Sequence, residues 1–223
     1  MKRHVVRWVF GLWASVFLLS SITVTAQAWE KTVSGEAYGV SVNVVGANLV
    51  SVTIPKTPDV VLPSGGGTAS NQVASITIPD TLASQTLTVT TTGSIGGTSA
   101  SAQSSATVEQ LDILNHLVMA KAVVAVASST GDGTTATSSG AGSQLLGLTV
   151  GNIVFGDVIP VPNTVIPLPG VGTVILNEQI TGGDGVTTTS LTVNMIHVIL
   201  SGSAGSGDIV VSSAHSDVNF PLF

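Results

Sequence analysis

Apolar and polar residues alternate with a period of two along much of this chain. In Glu36-Ala37-Tyr38-Gly39-Val40-Ser41-Val42-Asn43-Val44, the apolar Tyr38, Val40, Val42 and Val44 fall on one side and Ala37, Gly39, Ser41 and Asn43 on the other. That is the pattern of a half-buried strand. The same reading predicts strands over 48–54, 72–78, 85–91, 98–108, 143–150, 173–176, 187–200 and 208–214. Turn residues separate them: Pro63-Ser64-Gly65-Gly66-Gly67, Pro79-Asp80, 93–97, Gly131-Asp132-Gly133, Gly182-Gly183-Asp184-Gly185 and 201–207. Short strands between Gly-rich turns predict an all-β fold, a single-domain antiparallel β-sandwich or open barrel-like sandwich over residues 29–223.

Segment 109–128 reads two ways. Leu111, Leu114, Leu117 and Val118 keep helical spacing, yet the stretch also divides into two strands meeting near Asn115-His116. The run Val123-Val124-Ala125-Val126-Ala127 favours strand, because β-branched side chains lose χ1 freedom in a helix. This run and Ile209–Ser213 have little charge and high β propensity. They suit self-association through an exposed edge, or fully paired strands inside the monomer.

The first residues read differently. Lys2, Arg3 and Arg7 precede an apolar stretch from Trp8 to Leu19, and Ala26-Gln27-Ala28 is a small-x-small triplet. This is the layout of a secretory signal peptide over 1–28, with Trp29 as the expected mature N-terminus. The apolar stretch is short for a bilayer span of about 20 residues, and none approaching that length follows it. Removing the leader leaves Lys31, Lys56 and Lys121 against all twelve acidic residues. Three scattered lysines make no basic stripe for a phosphate backbone or an anionic lipid surface, so no nucleic-acid partner is expected. Charged residues are 8% of the chain, against about 25% in typical domains. The solvent face must be largely Thr, Ser, Asn and Gln. There is no cysteine, so the fold relies on its core rather than on disulfides.

The segment Val161-Pro162-Asn163-Thr164-Val165-Ile166-Pro167-Leu168-Pro169-Gly170 runs on to Gly172-Thr173-Val174-Ile175-Leu176-Asn177-Glu178-Gln179. With the early Ala37-Tyr38-Gly39-Val40 strand and the late Asp208–His215 strand, it resembles the choice-of-anchor P family of bacterial exported proteins. The resemblance implies a secreted protein with a variable surface anchor and brings no catalytic residues with it. No recognisable anchor is seen in this chain, so release or non-covalent retention at the surface is expected.

Candidate chemistry is sparse. His116, His197 and His215 are isolated in sequence, with no cysteines to complete a zinc set. Ser213, His215 and Asp217 share one strand face. At i, i+2 spacing their side chains stand about 6.5–7 Å apart, too far for a hydrogen-bonded relay. Asp132 and Asp184 sit in Gly-Asp-Gly turns, where Asp favours turn geometry; either could lend an oxygen to calcium, but neither loop has the alternating acids of a calcium loop. Gly93-Ser94-Ile95-Gly96-Gly97 lacks the lysine and helix of a phosphate loop. Trp29 and Tyr38 are the candidate platforms for a sugar ring, and the few aromatics cannot build the girdles of a membrane barrel. No catalytic, cofactor-binding or metal-binding set is assigned and no cofactor is expected. The sequence thus predicts a secreted or cell-surface non-enzymatic β domain with a structural or interaction role, its partner an unknown surface or matrix component or a second copy. The alternative is an extracellular module binding carbohydrate or calcium.

Overall fold

The computed structural model describes residues 30–46, 51–203 and 205–221. The expected leader, Trp29 and the start of the expected 48–54 strand lie outside the described residues. Among the described residues there are fifteen strands and no helix. In chain order they are β1 (Thr32–Gly46), β2 (Val52–Val61), β3 (Gly67–Val73), β4 (Ile76–Ile78), β5 (Leu82–Ser84), β6 (Leu87–Ile95), β7 (Ala100–Ile113), β8 (Val118–Gly131), β9 (Ala136–Ser139), β10 (Gln144–Val150), β11 (Ile153–Val158), β12 (Thr164–Leu168), β13 (Gly172–Gly183), β14 (Thr188–Gly202) and β15 (Gly205–Asn219).

They form two antiparallel sheets packed together, neither closed into a barrel. One has six strands in the order β12-β13-β14-β15-β1-β2. The other has nine and is built around the β7–β8 hairpin: β10 and then β11 extend it on one side, with β9 also on β8. On the other side β6 and β3 flank one half of β7, and β5 and β4 the other. The ambiguous 109–128 segment is two strands, β7 and β8, turning at Asn115-His116. The runs Val123–Ala127 and Ile209–Ser213 lie in β8 and β15, central strands paired on both sides, so neither offers an edge for self-association. Strands β5, β9, β11 and β12 have no counterpart in the sequence pattern.

The expected face of β1 needs correction. Tyr38 does not share a face with Val40, Val42 and Val44. Val33, Gly35 and Ala37 point inward, and then Val40, Val42 and Val44 do, so the alternation slips between Ala37 and Val40. Every long strand of the six-stranded sheet except the edge strand β2 slips in the same row. In β14 the inward set changes from Leu191 and Val193 to Ile196, Val198 and Leu200. In β15 it changes from Ile209 and Val211 to Ala214, Ser216 and Val218. The ladder pairs on either side place Asn177, Met195, Ser212 and Gly39 next to one another across four strands. Asn177 and Ser212 take the left-handed conformation, at φ 50° and 57°. Each strand in the row gains one residue, so the ladders resume in register beyond it. The facing sheet has its own slip, from Val108 to Leu111 in β7 and from Ala120 to Val123 in β8, with Gln110 at φ 50°.

On one side of this seam the interior is aliphatic and bulky, with Leu111, Ile113, Leu148, Leu176, Ile196 and Ile209 fully buried or nearly so. On the other side small and hydroxyl-bearing residues, among them Ala37, Ser104, Ala106, Ser129, Ala214 and Ser216, lie between the larger Val33, Leu62, Val218 and Phe220. Small side chains let the sheets come close enough for single hydroxyls to bridge them. Ser212 Oγ donates to the Ala106 carbonyl (2.7 Å) and accepts from Ala125 N–H (3.0 Å), entering the β7–β8 ladder where those two residues face each other. Ser129 Oγ lies 2.8 Å from Ser216 Oγ and 2.9 Å from Ser138 Oγ, which is 2.6 Å from Thr189 Oγ1. Thr91 and Ser104 pair at 2.9 Å beneath Gly35, where a Cβ would fall 2.7 Å from Ser104 Oγ. A buried hydroxyl is tolerable because its desolvation is matched by such bonds.

Ser212→Ala removes both contacts across the interior and leaves Ala125 N–H and the Ala106 carbonyl facing a methyl group. Urea unfolding should show a loss of about 2–4 kcal/mol, whereas Ser206→Ala, at an exposed position of the same strand, should stay within about 0.5 kcal/mol of the wild type.

Candidate functional site

The residues with chemistry gather on the outer face of the six-stranded sheet. On β15, Ser213, His215 and Asp217 do share that face, as their spacing predicts. The structure brings them together only as neighbours. Ser213 is buried, and its Oγ donates to Asn194 Oδ1 on β14 (2.7 Å) rather than meeting His215. His215 Nδ1 lies 2.9 Å from Thr192 Oγ1. The trio is therefore no relay for a nucleophile, and its serine is out of reach of a substrate. Burial raises the Asp217 carboxyl above the usual aspartate range, and the charge of His215 offsets part of the effect.

His197 is the hub that sequence reasoning missed. It projects from β14 between two carboxylates: Nδ1 is 3.0 Å from Glu178 Oε2 on β13, and Nε2 is 3.0 Å from Asp208 Oδ1 on β15. Both ring nitrogens thus face carboxylate oxygens. Asn194 Nδ2 also donates to Glu178 Oε2, at 2.7 Å. The chain of bonds runs Asp208–His197–Glu178–Asn194–Ser213 and reaches Tyr38 on β1, whose phenol is raised by burial and lowered in part by its bond with Ser213. Lys56 of β2 pairs with Glu36 and lies over the Tyr38 ring, 5.1 Å from its centroid. Tyr38, a candidate sugar platform, is thus half-buried in a polar network rather than displayed as a bare ring.

The Pro-Asn…Leu-Asn-Glu-Gln segment supplies this face and anchors it. Leu176 enters the core and Glu178 reaches His197. Between them Asn177 turns inward at its left-handed φ, and its Nδ2 donates to the Pro160 carbonyl (2.8 Å). Asn163 Oδ1 accepts from Gln179 N–H (2.9 Å). These bonds fix the crossing from the nine-stranded sheet to the six-stranded one.

His116 sits elsewhere, at the β7–β8 turn. Leu114, Asn115 and His116 are all left-handed, at φ 54°, 54° and 69°, a conformation that costs non-glycine residues about 1–2 kcal/mol each. Asp112 offsets this by accepting His116 N–H at 2.7 Å and pairing with its ring. Beside the turn is an open hollow of about 470 Å³ lined by Asp80, Asn115, His116, Asn152 and Val171. The Gly-Asp-Gly aspartates are turn caps. Asp132 is held down to about 2 by the Thr134 hydroxyl and the Thr135 and Thr134 amides. Asp184 is lowered by the Thr188, Val186 and Thr187 amides and the Thr187 hydroxyl. In each aspartate the amide donors converge on Oδ1, which closes the turn. Their stabilising effect is present above the unfolded value of 3.8 and is lost as pH falls toward the folded one.

A second surface is apolar. From β11 through the crossing to β12, Ile153, Val154, Phe155, Ile159, Val161 and Val165 are all exposed, Val154 by 77% and Ile159 by 72%. β11 and β12 are outermost strands of their sheets. Among the described residues no group of three or more His, Cys, Asp or Glu is placed to hold a metal ion, and no helix is long and apolar enough to cross a membrane.

With both surfaces defined, comparison with known proteins finds no matching family model, no matching curated protein and no matching solved structure.

Two substitutions probe the polar face. Glu178→Ala leaves His197 Nδ1 and Asn194 without their acceptor and should cost about 1–3 kcal/mol in chemical denaturation. Asp217→Asn should act in the opposite direction. A raised folded-state value means that folding penalises the charged carboxylate, so the penalty is absent below 3.8 and grows as pH rises through the folded value. The variant should be more stable than the wild type at neutral pH by about 0.5 kcal/mol, given its partial exposure. The difference should vanish near pH 3.

Proposed function

We propose that this chain is an extracytoplasmic, non-enzymatic β-sandwich with a structural or interaction role, akin to the choice-of-anchor P proteins that it resembles. The observation that carries the reading is the exposed apolar stretch 153–165 along one side of the sandwich. Monomeric proteins seldom leave so many large apolar side chains in water unless a partner covers them. The leader-like 1–28 segment and the hydroxyl-rich, nearly uncharged surface composition support a place outside the cytoplasm. Two of the side chains that would suggest hydrolysis, Ser213 and His215, are engaged in separate bonds with Asn194 and Thr192.

A ligand-binding role draws on a different observation, the half-buried Tyr38, Asn194, His197 and Glu178 gathered on one sheet face. A glycan array distinguishes the two. Saccharide binding lost in Tyr38→Ala would favour the module, and silence would favour the interaction role.

Expressed in a bacterial host, the protein should be recovered outside the cytoplasm with Trp29 as its first residue by mass spectrometry. Full-length protein confined to the cytoplasm would overturn the proposal.

A further inference from the structure

The outer strands of this sandwich differ in how they are guarded against pairing with another chain. β2 carries Pro55, Lys56, Pro58 and Asp59. β12 contains Pro167 and is flanked by Pro162 and Pro169. β3 is polar but for Ala69 and Val73, and β4 is three residues long. Proline removes a donor, charge makes pairing costly, and short strands offer little to pair with. β11 has no proline and opens on three large exposed apolar residues. It reads Ile153-Val154-Phe155-Gly156-Asp157-Val158, and its one charge is tied back to β10, where Asp157 Oδ1 accepts Gly147 N–H at 2.9 Å. The register irregularities with β10 fall from Leu145 to Thr149, opposite the 154–158 part of the strand.

We propose that β11 is a dimer interface and that its occupant is a second copy of this chain, paired antiparallel as β11 against β11 about a two-fold axis. This rests on the interaction role above and names its partner. An isologous pair sets the same Ile153-Val154-Phe155 run against itself, so each copy supplies the apolar surface that the other needs. The six exposed side chains from Ile153 to Val165 present on the order of 700 Å², near the roughly 800 Å² that each partner gives to a standard interface. Charge points the same way. Residues 153–165 carry one acid and no base, so two acidic chains meet where each is nearly neutral. Residues 153–165 hold no Lys or Arg, and Lys121, whose stem lies beside Gly147 of β10, is a single cation where an anionic lipid surface would require several.

Light scattering of the purified protein across roughly 1–100 µM should show a mass of two chains that dissociates on dilution. Val154→Lys should weaken association at least tenfold with an unchanged circular dichroism spectrum, and Ser70→Lys, at an exposed position of the polar β3 edge, should leave it intact. Ile159→Lys, outside the ladder, should weaken it too and serves if Val154→Lys fails to fold. A monomer at every concentration, or a dimer indifferent to Val154→Lys and Ile159→Lys, overturns the proposal. Either result leaves the exposed 153–165 stretch to a different partner, and the extracytoplasmic placement is tested separately by recovery of the processed protein.

Discussion

A strand can keep one face in the core only while its alternation holds, and four long strands of the six-stranded sheet, β1, β13, β14 and β15, each break theirs once. The structure depends on those breaks falling in a single row. Asn177, Met195, Ser212 and Gly39 stand side by side across the six-stranded sheet. If one of these strands lacked its extra residue, everything beyond the row would be turned to the wrong face. The left-handed backbones at Asn177 and Ser212 carry a cost. The bonds those same residues make offset it: Asn177 holds the crossing chain at Pro160, and Ser212 bridges to the opposite sheet.

From the seam follow both the character of the interior and the layout of the surface. Bulky aliphatic residues fill one half of the core, and the other sets serine, alanine and glycine among larger residues such as Val33, Leu62, Val218 and Phe220. A surface with so few charges is matched by an interior that uses serine and threonine as connectors. On the outer face, the slip turns Ser213 and Tyr38 outward beside Asn194 and Glu178, which joins the polar side chains of four strands into one bonded series. Without the slip, Tyr38 would lie on the same side as Val40, in the core.

The β character of the chain, most of its strands and its turns were legible from the period-two pattern and the glycine clusters. The two-strand reading of 109–128 holds because Val123–Ala127 is rich in β-branched valine and the turn at Asn115-His116 is stabilised by Asp112. The seam was not legible. Asn177, Gln110 and Ser212 are ordinary polar residues in strand-like sequence, and their left-handed backbones are set by neighbouring strands. The partners of His197 were hidden for a related reason. Glu178 and Asp208 lie 19 and 11 residues away in sequence and meet it only through the ladder register. β11 was overlooked because Ile153-Val154-Phe155 does not alternate, and an edge strand exposed on both faces has no period to read.

Backbone chemical shifts offer the most direct test of the seam. Asn177, Gln110 and Ser212 should each give left-handed values as single residues, flanked on both sides by extended ones. Unbroken extended shifts through Asn177 and Ser212 would contradict the account, because the row they share with Gly39 would be lost and Ala37 and Val40 could not then both face the core.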